Sequence, residues 1–204
     1  MVAESTPLGY RKRAKRMVRG ALESISAVRP RHWDAWGLIR AQAGGAPAPV
    51  QPDAEALRRA MEWLKAAQDA TEGGGVSWGY VARAPVRYGM LPGWQTAYPE
   101  TTGYIIETML RYCRLSGDGD CRARARRMAE WELGIQLPDG GFQGGMLGAE
   151  PVASSTFVTG QVMFGLLSAY QEEGDGRYLE AARRAGNFLL ACLDSGGQIG
   201  RAHV

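Results

Sequence analysis

The chain has 204 residues, 45% of them hydrophobic and 22% charged, which suits one globular domain with a substantial core and excludes a disordered or collagen-like chain. Its formal charge of +3 is unevenly spread, with nine Lys/Arg against three acids up to Val50 and fifteen against eighteen thereafter. No apolar run reaches the roughly 18 residues of a membrane span and none follows the charged opening, so a membrane helix and a secretory leader are both unexpected and the expected location is cytoplasmic.

Leu8 to Val28 reads as a basic helix carrying Arg11-Lys12-Arg13 and Lys15-Arg16, stopped by Pro30. It leaves membrane-surface contact as a minor possibility, while the lack of interleaved aromatics argues against nucleic acid. Trp33, Trp36, Leu38 and Ile39 form an apolar patch beside a lone His32, and Gly44 to Pro49 reads as a linker, so residues 1–50 form an opening segment. Asp53 caps a helix predicted to run to about Ala70, with Leu57, Met61, Leu64 and Gln68 on one face. A long aromatic and glycine-rich loop, Glu72 to Tyr98, leads to Pro99 and a second helix from Glu100 to Leu115. Gly117-Asp118-Gly119 turns the chain into a third helix, Arg122 to Gln136. A second loop through Asp139-Gly140-Gly141-Phe142 precedes a fourth helix, from near Ser155 to around Gln171. Gly174-Asp175-Gly176 repeats the turn before a fifth, Tyr178 to Leu193. Cys113, Cys121 and Cys192 fall in helical patterns without metal or disulfide spacing, and read as small buried hydrophobes of a reducing compartment.

One phrase occurs three times: RRAMEWLKAAQ from Arg58, RRMAEWELGIQ from Arg126 and RRAGNFLLACL from Arg183. Trp63, Trp131 and Phe188 coincide, Gln68 falls on Gln136, and a glycine cluster follows each copy. The second and fourth helices also match, with Thr102-Gly103 on Thr159-Gly160. The repeated unit is therefore a helical hairpin of roughly 57 to 68 residues, longer than the 34 to 47 of common helical solenoids. In each unit the more apolar helix is expected inside and the one bearing the arginine pair outside, with long loops gathered at one end.

The Gln68-Asp69 and Gly74-Gly75 copy, and Gln136 with Asp139-Gly140-Gly141-Phe142, resemble the Gln…Gly…aromatic repeat of the terpenoid cyclases. Tyr98-Pro99-Glu100-Thr101-Thr102-Gly103-Tyr104 is similar to a segment of bacterial toroid proteins associated with cell-surface polysaccharide synthesis. Together they resemble the α/α-toroid superfamilies, six-hairpin glycosidase-like and terpenoid cyclase or protein prenyltransferase-like. The resemblance spans about Asp53 to Gln198 and implies an all-α fold in which the cavity opens where inner helices begin. The chain departs from the cyclases in having no acidic cluster, and from the prenyltransferases in having no zinc constellation, so no metal or cofactor is expected. Residues 199–204 match the translation of a common sequencing-library adapter, and are expected to be a non-native tail on a C-terminally truncated toroid.

The chemistry should sit where the copies differ. Aromatic faces stack on sugar rings and isoprenoid chains alike, which makes Trp78, Tyr80, Trp94 and Tyr98 candidate contacts. Glu100, at the start of an inner helix, is the first candidate acid or base, although helix-dipole compensation would also place it there. Asp139 is the second, although Asp-Gly-Gly is also ordinary turn chemistry. Thr101, Tyr104, Phe142, Gln143, Thr156 and Gln161 complete the candidate substrate site. The expected function is that of a carbohydrate-active toroid of lyase, hydrolase or epimerase type with a saccharide or polysaccharide partner. The alternatives are an isoprenoid-binding toroid and a noncatalytic helical-repeat scaffold for a protein partner.

Overall fold

A computed structural model describes residues 52–81 and 92–199. The basic opening helix, His32, the linker and residues 200–204 lie outside the described residues. Among the described residues there are five α-helices: α1 (Asp53–Asp69), α2 (Pro99–Ser116), α3 (Gly119–Ile135), α4 (Thr156–Glu173) and α5 (Gly176–Ala191). Two units are distinguished along the chain. One holds the described residues Gly79–Val81 and 92–95, the other Ala54–Trp78 and 96–199. In the first, the segment expected as loop forms a short antiparallel hairpin, β1 (Tyr80–Val81) with β2 (Gly93–Trp94), in register Tyr80 to Trp94. The pair is held by the Tyr80 and Trp94 rings, which meet edge to face with centroids 5.2 Å apart.

Apart from Asp53 at the start of α1, all five helices belong to the second unit, where α2 and α4 pack together most extensively and α3 and α5 flank them. Their buried faces follow helical spacing, as in Cys121, Ala125, Met128 and Glu132 on α3. The core is built from Ile106, Met109, Met128, Phe142, Val162, Leu166 and Tyr178, each almost wholly buried. Gly117 and Gly174, at φ 75° and 70°, close α2 and α4 in the left-handed region. The next residue, Asp118 or Asp175, then caps the following helix through its side chain. For this reason α3 and α5 start two or three residues earlier than the sequence pattern suggests. Among the described residues no helix is long and apolar enough to cross a membrane.

The joints between units repeat atom for atom. Gln68 Nε2 donates to the carbonyls of Gly74 and Arg124, and Gln136 Nε2 donates to those of Gly140 and Ala181. The Val76 N–H donates to Thr102 Oγ1, as the Phe142 N–H does to Thr159 Oγ1. Tyr98 N–H donates back to Val76, and Ser155 N–H back to Phe142. The threonines recur because a buried amide in each turn needs an acceptor from the coming helix. A side chain at Gly74 would meet the Arg127 carbonyl at 2.8 Å, and one at Gly140 the Arg184 carbonyl at 2.5 Å. Both also have positive φ, so glycine is required twice over. Trp131 covers Gly73 and Gly75, and Phe188 covers Gly141, which accounts for the recurring aromatic position.

The arginine pairs lie on the exposed faces of the flanking helices. Arg58 bonds Glu55, Arg126 bonds Glu173, and Arg183 bonds Glu180. Such exposed pairs contribute little to stability, because solvent screens them.

Candidate functional site

Pro99 opens α2 with its missing N–H in the position where a helix tolerates it, which places Glu100 in the first turn. Among the described residues the half-buried Glu100 carboxylate has no hydrogen-bond or ion-pair partner. Tyr104 lies one turn further on and is 40% exposed. Its phenol is raised above the ordinary tyrosine range, first by desolvation, then by the charge of Glu100 and by Tyr98. Tyr98, Glu100 and Tyr104 therefore share one electrostatic neighbourhood at the mouth of α2. Thr101 donates to the Tyr98 carbonyl at 3.2 Å, which ties its hydroxyl to the same first turn. Trp78, which precedes the hairpin, donates its amide to the carbonyl of Thr96 in the segment that enters this helix and exposes 40% of its surface. The corresponding positions of α4 carry Phe157 for Glu100 and Gln161 for Tyr104, so this neighbourhood belongs to one copy alone.

The other candidates are placed differently. Tyr80 and Trp94 stack against each other in the hairpin unit. Asp139 Oδ1 accepts from the Gly141 N–H at 2.9 Å and from Ser154 Oγ at 2.8 Å, so its carboxylate closes the second turn. Among the described residues no hydrogen bond joins it to Glu100. Phe142 has no exposed surface and is a core residue. Gln143 is also buried, donating to the Met146 and Ala149 carbonyls and accepting from the Gly148 N–H, which folds the loop 143–149 around it. Gln161 is half-buried on α4. Thr156, the first residue of α4, holds a buried hydroxyl oxygen without a partner.

Sequence reasoning missed Glu132. Its side chain continues the inward face of α3, has no exposed surface, and neither carboxyl oxygen has a hydrogen-bond partner. Burial alone raises its pKa well above the ordinary 4.5, holding the group toward the protonated acid. The signal was present in the repeat, where the same position is Leu64 in the first copy and Leu189 in the third. No protein-family model, no curated protein and no solved structure matches the chain.

Proposed function

We propose that the protein is a carbohydrate-active α/α-toroid protein that binds a sugar or polysaccharide intermediate at the mouth of α2. The observation that carries this reading is the unpartnered Glu100 carboxylate sharing an electrostatic neighbourhood with two phenols, Tyr98 and Tyr104, with the exposed Trp78 bonded to the segment that enters α2. An aromatic edge gives stacking surface to the apolar faces of a sugar ring, and the phenols offer hydrogen bonds to its hydroxyls. A carboxylate with no internal partner is free to give or take a proton, at the departing glycosidic oxygen in a hydrolase and at an acidified ring C–H in a lyase or an epimerase. The toroid part of the reading is supported by the repeated joints and by the packing of α2 on α4.

The test is oligosaccharide binding by the intact protein on a glycan array, followed by titration with the best ligand. Trp78→Ala and Tyr104→Ala should each weaken binding by about tenfold, the equivalent of one lost stacking contact. Glu100→Gln should keep binding and abolish turnover. An array without a single bound glycan would dismiss the saccharide reading. A second reading is favoured by Phe157 and Phe164, which lie along α4 with 41% and 57% exposure. They suit a noncatalytic scaffold with an apolar protein partner, and under that reading Phe164→Ser removes partner binding while Glu100→Gln has no effect.

A further inference from the structure

The two copies of the turn differ in one respect that points to a ligand. In the second copy an internal carboxylate, Asp139, satisfies the Gly141 N–H and the Ser154 hydroxyl. Beside it, Arg184 is occupied by Gln136 Oε1. In the first copy Gly73 stands at the position of Asp139 and Ala97 at that of Ser154, so the carboxylate and its hydroxyl partner are both missing. The acceptor on Gln68 is taken by Arg124, at 3.2 Å, which leaves the counterpart of Arg184 without it. That counterpart is Arg127, and among the described residues its exposed guanidinium makes no hydrogen bond or salt bridge, although its charge contributes, after that of Arg124, to holding the Asp69 carboxyl down. The N–H groups of Gly73 and Gly74 likewise have no acceptor among the described residues.

These unused donors line a cleft of about 370 Å³ bounded by Gln68, Asp69, Thr71, Gly73, Gly74 and Arg127. Asp69 is the one carboxylate on its rim, and Arg124 binds both of its oxygens, at 2.7 and 3.0 Å. That pairing compensates the Asp69 charge and holds its carboxyl below the usual range. What remains on the lining is a guanidinium fork and two glycine amides without protein acceptors, the donor set that recognises an oxyanion.

We infer that this cleft, between the C-terminal end of α1 and the middle of α3, binds a small oxyanion, the phosphate or carboxylate group of a metabolite. The inference is independent of the saccharide reading, since none of the residues at the mouth of α2 takes part.

Nuclear magnetic resonance titrations of the full chain at constant ionic strength test it, one with inorganic phosphate and one with acetate. Saturable shifts of the Gly73 and Gly74 amides and of the Arg127 side chain are expected. Saturation by phosphate identifies a phosphoryl ligand, and saturation by acetate a carboxylate. Arg127→Gln should weaken the affinity at least about tenfold, and Arg127→Lys should recover part of the loss, since it restores charge without the fork. Arg126→Gln, whose side chain bonds Glu173, should leave it unchanged. Shifts that rise without saturation for both anions, or equal affinity in a folded Arg127→Gln variant, would overturn the inference.

Discussion

Glu132 is the residue at which this chain departs furthest from its own repeat. A carboxyl group without partners in an apolar interior is destabilising, and more so when charged. Its folded-state pKa lies above the unfolded value, so the folded chain holds a proton that the unfolded chain releases. The contribution of Glu132 to stability is therefore fullest at acid pH and falls as pH rises above about 4.5, by up to roughly 1.4 kcal/mol per unit until the raised pKa is passed, opposite in sign to that of the paired aspartates. Glu132→Leu, which adopts the residue of the other two copies, should raise stability at neutral pH by about 1–3 kcal/mol. Glu132→Gln should remove the same pH dependence with a smaller gain in stability. Urea unfolding across a pH series measures both, and a wild-type slope that persists in Glu132→Leu would show that another group titrates.

At the scale of the helix, the two equivalent glycines Gly103 and Gly160 should respond in opposite directions. A Cβ on Gly103 would lie 2.7 Å from the Val162 Cα, and one on Gly165 would lie 2.1 Å from the Gly103 carbonyl oxygen. Both obstacles are backbone, so α2 and α4 would have to separate, at a cost of about 1–3 kcal/mol or more. That outweighs the gain of up to about 1 kcal/mol from replacing a helical glycine with alanine. Around Gly160 nothing lies within 4 Å among the described residues. Gly160→Ala should therefore stabilise by up to about 1 kcal/mol while Gly103→Ala destabilises, read as opposite shifts of the thermal midpoint. The helices themselves were legible from apolar spacing and turn residues. Their first residues were less so, because Asp118 and Asp175 act as caps only once the preceding glycine has turned the chain. The hairpin was missed for a related reason: strands of two residues leave no alternating pattern to read.

Across the whole molecule the repeat was legible because it is made of residue types that have few substitutes: a glutamine, two glycines, an aromatic and a threonine. The candidate site was less so. Glu100 stood out by its position in the helix, but Asp139, Phe142 and Gln143 are absorbed by local hydrogen bonds and packing that one copy read alone does not disclose. The unpartnered Arg127 was hidden for the opposite reason, since it sits in a recurring pair whose other members are engaged. Gln136→Leu should be costly, because it strands the Gly140 carbonyl and removes the second donor to that of Ala181, at about 1–3 kcal/mol together with earlier proteolysis in the loop 137–155. Through Nε2 both glutamines grip main-chain oxygens, while Oε1 accepts from a different arginine in each copy, Arg124 for Gln68 and Arg184 for Gln136. Arg124 and Ala181 can thus occupy matching places and be held equally well. On its donor side the fastening ignores the identity of what it holds, so a module can drift in sequence at that contact without its neighbour having to change in step.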